Sequence, residues 1–310
     1  MDITSGFEPE TLGSIPSEGT MHTLGTIFAF LALASWTFGD FFIQKSVRIV
    51  GDLKTLIYIG IIGVVGIFPF IAGELAPLFS NTTLLLLLTF TGAIIFFAAI
   101  FDFEALKRGK LAIVEPVLGM ELPVTITLSV ILWAERPSII QFLLMASAFI
   151  GIILAITIHH THLHYHKRIF EKGVLFAALG SIVMGLVNFM VGISSQETSP
   201  LMAIWFTNLI FTLCCFIYMA IRMDFGGVIL DFTKNLKVTL TTSIFDNAAW
   251  IFFAFAASMI PISIATTISE SYIAFVVLLG LLINKEKIRW HQFAGIIVAT
   301  ASIIILSAIT

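Results

Sequence analysis

The chain is a near-continuous series of apolar runs, each roughly 20 residues long and set off from the next by a short polar cluster. At a rise of about 1.5 Å per residue, a helix of that length matches the hydrocarbon thickness of a bilayer. Lipid offers no hydrogen bonds, so the backbone of each run must pair within itself. The runs predict transmembrane helices over 24–46, 54–73, 83–106, 111–133, 138–160, 172–195, 200–222, 237–258, 262–284 and 288–309. Only 11% of the 310 residues are charged and 58% are hydrophobic, where a soluble domain carries about 25% charged residues. Such a chain cannot cover itself with a water-compatible surface. The connections are too short for a soluble catalytic domain, so any chemistry lies inside the bundle.

The sequence also repeats. A shift of 151 places Glu286, Lys287 and Gln292 on Glu135, Arg136 and Gln141, in stretches that read AERPSIIQFLL and NKEKIRWHQFAG. At the start of each half, a shift of 148 places Gly173, Phe176, Ala177, Asn188 and Phe189 on Gly25, Phe28, Ala29, Asp40 and Phe41. Apolar helices align by chance, so the polar matches carry this signal. Each half holds five predicted spans, an odd number, and two copies in series must then enter the membrane from opposite faces. The expected fold is an all-α membrane protein of ten transmembrane helices, arranged as two inverted five-helix repeats with a site near the midplane between them. The expected divisions are a flexible tail over 1–22, a first repeat over 23–160, a His-rich loop over 161–171 and a second repeat over 172–310.

With these two Glu-basic-Gln segments, and with LPVTITLSVILWAER and its Pro123 before the first of them, the chain resembles the drug/metabolite transporter superfamily in its ten-helix EamA-type branch. The resemblance covers nearly everything after residue 22, although Ala274 stands in the second half where Pro123 stands in the first. It implies a carrier that works by alternating access. Members of the family export amino acids, other metabolites and drugs, so the motifs identify architecture better than substrate.

Basic residues mark the cytoplasmic loops of membrane proteins. Lys45, Arg48 and Lys54 follow the first span, Lys107, Arg108 and Lys110 the third, and Lys167, Arg168 and Lys172 the fifth. Arg222, Lys234 and Lys237 follow the seventh, and Lys285, Lys287 and Arg289 the ninth. Arg136 is the one Lys or Arg assigned to the opposite face. This split predicts both termini outside a plasma-membrane protein, the reverse of the arrangement usual in the family.

A carboxylate at membrane depth costs at least about 2.5 kcal/mol on insertion scales, so each one there needs a reason. Glu121, Asp246 and Glu270 fall near the middle of their spans, and Asp40 lies somewhat toward the basic-loop side. No Lys or Arg is predicted at that depth. Acids facing one cavity repel one another, so some hold a proton or pair with a cationic ligand. Helical spacing puts Asp246 and Trp250 on one face, with Ser243 and Asn247 beside them, and it groups Thr266 and Thr267 with Glu270. Asn188 matches Asp40 by the repeat, and Trp36, four residues before Asp40, is placed to close one end or simply to pack. The expected substrate and proton site is therefore Trp36, Asp40, Glu121, Asn188, Asp246, Asn247, Trp250, Thr266 and Glu270.

Other polar residues read as less central. Glu104 lies four residues before Arg108, with Asp102 near the same end, as in a headgroup-level ion pair. Glu115 is read as interfacial or as lining the cytoplasmic mouth, and Glu135 and Glu286 as helix-start or gate contacts. The run HHTHLHYH brings together His159, His160, His162, His164 and His166, a set able to chelate zinc, nickel or copper. No Cys or carboxylate completes a defined geometry, so the favoured reading is a solvated loop and no metal site is assigned. Cys214 and Cys215 are adjacent in an apolar run and read as packing residues. Asn81-Thr82-Thr83 is a glycosylation sequon that matters only in a glycosylating eukaryote.

The expected function is a secondary active transporter, a proton-coupled exporter of a small cationic, zwitterionic or amphipathic metabolite or drug. The alternative is a lipid or lipid-intermediate flippase of the same inverted fold. No nucleophile-base pair or phosphate loop stands at depth, so an enzyme is not expected and neither is a cofactor. The expected partners are a small-molecule substrate, protons and membrane lipids, with no nucleic acid; a monomer and a homodimer both remain open. Phosphorylated substrates are disfavoured because no buried cation would receive them.

Overall fold

A computed structural model describes residues 18–108, 117–156, 172–223, 225–275 and 289–310, and the described residues are helical apart from their short connections. The main elements are α1 (Glu18–Val50), α2 (Asp52–Ile71), α3 (Leu75–Phe79), α4 (Thr82–Arg108), α5 (Glu121–Leu132) and α6 (Ile139–Ile156) in the first half. In the second half they are α7 (Lys172–Glu197), α8 (Pro200–Arg222), α9 (Val228–Lys234), α10 (Leu236–Met259), α11 (Ile262–Glu270) and α12 (Trp290–Ala308). Among the described residues, seven helical stretches are long and apolar enough to cross a membrane, starting at Gly19, Asp52, Thr82, Leu175, Pro200, Leu236 and Trp290. Two shorter apolar helices, Glu121–Leu132 and Ile139–Ala155, accompany them. Helix α1 begins inside the stretch expected to be a flexible tail.

Several boundaries follow from local chemistry. The Asn81 side chain accepts from the N–H groups of Thr83 and Leu84 at 3.1 and 3.2 Å, so the sequon asparagine caps α4. Ser199 caps α8 by accepting from Met202 N–H at 3.2 Å, and Pro200 occupies the first turn, where its missing donor costs nothing. The two repeated glutamines perform the same local task. Gln141 accepts from Ser138 N–H at 2.8 Å at the start of α6, and Gln292 accepts from Arg289 N–H at 3.1 Å at the start of α12.

Packing across the halves is pairwise and antiparallel. Along α1 and α10, Gly25 lies at Met259 and Ile260 while Phe38 lies 6.1 Å from Phe245. Along α4 and α7, Thr91 meets Ser194 and Phe101 meets Phe176. Trp205 of α8 donates to the Val64 carbonyl of α2 at 2.9 Å, and Thr212, two turns on, sits at Gly60. The tightest crossing joins α6 to α12. A Cβ on Gly151 would lie 2.5 Å from the Ala299 nitrogen, and one on Gly295 would lie 2.5 Å from the Ala155 nitrogen. Only a residue without a side chain lets these backbones meet, and Ser302 then reaches Ser147 at 2.9 Å.

The two helices expected over 111–133 and 262–284 are not regular throughout. Helix α5 starts only at Glu121, after a turn in which Met120 N–H bonds Val117 C=O at 3.1 Å. Pro123 lacks the N–H that would bond Gly119, so the ladder has no partner there and the turn tightens. Helix α11 ends at Glu270, followed by a turn in which Ala274 N–H bonds Ser271 C=O at 3.1 Å. Both irregularities stand beside an acid.

Candidate functional site

The breaks in α5 and α11 present Glu121 and Glu270 at helix ends rather than within a continuous ladder. Glu121 is the first residue of α5 and is 9% exposed; Glu270 is the last of α11 and is 4% exposed. Irregular backbone in the depth of a bundle is tolerated where protein surrounds it, and its loosened polar groups are available for binding.

Helix α7 runs past both acids. The Glu121 carbonyl lies against Gly185, and Thr125 of α5 donates to the Gly185 carbonyl at 2.9 Å. One turn on, Asn188 donates from Nδ2 to Glu270 Oε1 at 3.2 Å, and Asn188 is 1% exposed. Asn188 Oδ1 is buried with no hydrogen-bond partner among the described residues, and so is the Thr266 hydroxyl, on the same face of α11 as Glu270. Buried polar atoms are nearly always satisfied, so this concentration of unused capacity is unusual. Thr267 instead donates to its own helix, at Ser263 C=O.

Aromatic residues close the other flank. Trp36 of α1 is buried and meets Trp250 of α10 edge-on at 5.2 Å, with Phe253 and Tyr272 at 5.8 and 5.7 Å. Trp36 and Trp250 are therefore brought together. Asp246 lies one turn before Trp250, half-buried, where α10 passes Gly39 of α1. Asp40 lies on α1, but its side chain falls outside the described residues, as do Glu115, Glu286 and the five histidines of 159–166.

The Asn247 amide makes three hydrogen bonds. Its Nδ2 donates to the carbonyls of Ile59 and Ser243 at 2.9 and 2.8 Å, and its Oδ1 accepts from Asn208 at 2.8 Å. These bonds tie α10 to α2 and α8. Ser243 likewise donates to its own helix, at Thr239 C=O.

Three residues matter more than their sequence context suggests. The Glu135 carboxylate accepts from Ile262 N–H at 2.6 Å, from Ser263 N–H at 3.1 Å and from the Ser263 hydroxyl at 2.6 Å, so it caps α11 from the opposite half of the chain. Gln196 accepts from Trp133 at 2.8 Å and donates to Ala257 C=O at 2.7 Å, joining α5, α7 and α10 at the same end. Asp102, expected only near a headgroup-level pair of Glu104 with Arg108, turns Oδ1 to α7, and the Arg108 side chain lies outside the described residues. The spacing Ala98, Asp102, Ala105 is the signal for it, since small residues at i−4 and i+3 mark a packed face. At the far end of the bundle, where the basic residues gather, Lys54 of α2 pairs with Asp231 of α9 at 2.6 Å and Tyr58 donates to Val228 C=O at 2.6 Å. A separate cleft of about 390 Å³, which includes Glu74, Asn81, Glu197 and Ser199, opens at the end opposite these basic residues and does not reach the buried acids.

A family model described as the EamA-like transporter family matches the chain twice, over residues 23–157 and 171–308. No curated protein matches it. Twenty-seven chains of solved structures do. One of them, described only as the crystal structure of a protein, superposes with a TM-score of 0.67 at 14% identity, covering 92% of this chain and 98% of its own. That likeness is one of fold.

Proposed function

The chain belongs to the EamA-like transporter family and is a multi-pass membrane protein; from that premise we propose that it is a secondary active transporter exchanging protons for a small cationic, zwitterionic or amphipathic metabolite or drug. The exchange runs by alternating access in the export direction. The observation that carries this reading is the buried Glu270, bonded to Asn188 beside the unused Asn188 Oδ1 and Thr266 hydroxyl, at the break of α11. A carboxylate there balances either a proton or a cationic guest, and competition between the two couples their movements. The aromatic group of Trp36, Trp250 and Tyr272 suits a cationic or amphipathic guest.

Antiparallel pairing of α2 with α8 and of α6 with α12 supports ten spans arranged as two inverted five-helix repeats, because helices five spans apart then run in opposite directions. The crowding of Lys and Arg at one end supports a plasma-membrane protein with both termini outside.

The test uses purified protein in proteoliposomes under an imposed pH gradient, with labelled lysine, spermidine and choline as probes. Wild type should move at least one probe against the proton gradient, and Glu270→Gln and Asp246→Asn should each abolish that flux. Unchanged pH-driven flux in both variants would overturn the mechanism. Transfer of a fluorescent lipid between leaflets, in place of probe flux, would replace it with a flippase.

A further inference from the structure

Asp102 is an acid that the central site leaves unused. It shares a face of α4 with Ala98 and Ala105, neither of which has exposed surface, and that face lies on α7. A Cβ on Gly180 would run into Asp102 Oδ1, so the carboxyl fills the space that a side chain on α7 would occupy. Oδ1 is buried without a hydrogen-bond donor, and among the described residues Asp102 has neither a hydrogen bond nor an ion pair. Asp102 as a whole is half-buried and stands at the end of its apolar stretch, so its second oxygen is not enclosed with Oδ1. A carboxylate anion with one oxygen held this way still costs more than in water, whereas a carboxyl bearing its proton is neutral.

The surroundings form a series along α7. Gly180 faces Asp102, Gly185 faces Glu121, and Asn188 holds Glu270. At a rise of about 1.5 Å per residue, these three levels are spread over about 12 Å, with about 7.5 Å between the first two. Ser181, 2% exposed, lies between those two levels. The titratable and charged groups on the packed elements are Glu121 on α5, Glu104, Lys107 and Arg108 on α4 itself, Lys172 and Glu197 on α7, and Cys214, Cys215, Tyr218 and Arg222 on α8; the side chains of Lys107, Arg108 and Lys172 fall outside the described residues. Arg222 bonds the Tyr218 hydroxyl at 2.8 Å and Tyr218 packs on Phe96, which is a different face of α4 from that of Asp102.

We infer that Asp102 is a proton-binding residue of the transport cycle, taking its proton from water at the end of the bundle that carries the basic residues and releasing it when the contact of α4 with α7 parts. This rests on the proton-exchange reading of Glu270. It adds to that reading a second acid, on the other side of Glu121.

Infrared difference titration of the full-length protein in liposomes reads the proton directly, without a substrate. Wild type should show a protonated-carboxyl C=O band that Asp102→Asn removes and Glu104→Gln leaves in place. Asp102→Glu guards against a folding defect, since it should keep such a band with a displaced titration midpoint. In the same vesicles, pH-driven flux of labelled lysine, spermidine or choline should be lost in Asp102→Asn and should change its pH profile in Asp102→Glu. An unaltered band in Asp102→Asn overturns the inference, and so does unaltered flux. Absence of pH-driven flux from wild type itself overturns the exchange reading of Glu270 instead, and the infrared titration tells the two failures apart.

Discussion

Glu135 shows how one side chain joins the halves of the molecule. Its carboxylate satisfies two N–H groups at the start of α11, donors that otherwise lack partners in any helix, and it takes the Ser263 hydroxyl as well. Hydrogen bonds to a charged group contribute about 1.5–3 kcal/mol each when buried, and Glu135 is half-buried, so Glu135→Ala should lower stability by about 2 kcal/mol. Thermal unfolding in detergent micelles measures this, with Arg136→Ala expected to stay near wild type because Arg136 is exposed. Equal stability of Glu135→Ala and wild type would mean that the cap adds nothing. The sequence indicates that Glu135 makes a helix-start contact but not which helix it starts, because the partner lies 127 residues away. Asn247 illustrates the same limit. Helical spacing puts it near Asp246 and Trp250, and yet its amide bonds are fixed by α2 and α8, which spacing within α10 cannot reveal.

Helices in this bundle meet through what their faces lack. At the crossing of α6 with α12, Gly151 and Gly295 bring backbone to backbone, so any side chain there must push two whole helices apart. Gly151→Val should therefore destabilise the protein by about 1–3 kcal/mol, the usual cost of overpacking. Gly66→Ala is the matched comparison, since nothing lies within 4 Å of the position its Cβ would take. That change should be neutral or stabilising by up to about 1 kcal/mol through helix propensity. Thermal unfolding of both variants distinguishes tight crossing from general glycine sensitivity; a neutral Gly151→Val would remove the crossing from the account. Spans are legible in the sequence because lipid forces long apolar runs, and the expected limits of 200–222 coincide with those of α8. The breaks at Glu121 and Glu270 are less legible. Pro123 announces the first, but in the second half Ala274 replaces it, so no missing donor in the sequence marks that turn.

At the scale of the whole molecule, the two ends of the bundle are tied by different chemistry. One end holds the Glu135 cap, the Trp133, Gln196 and Ala257 chain, and a bond from the Ser199 hydroxyl to Glu74; the other holds the Lys54 and Asp231 pair with Tyr58 on Val228. Each set links the first half of the chain to the second, and the alternating access proposed above requires that the two sets break in turn. The orientation proposed above rests on charge alone: fifteen of the sixteen Lys and Arg residues are assigned to one side, and Arg136 to the other. Arg136 and Lys234 are both exposed, and they make a direct test when each is replaced by cysteine. Cys214 and Cys215 lie within the apolar helix α8, so both become serine in the background used for labelling. In intact cells, a membrane-impermeant thiol reagent should modify Arg136→Cys at once and Lys234→Cys only after permeabilisation. The reverse pattern would invert the protein in the membrane. It would leave the Glu270 site in place and exchange only the sides at which the Glu135 cap and the Lys54 pair operate, so that Asp102 would then take its proton from outside the cell.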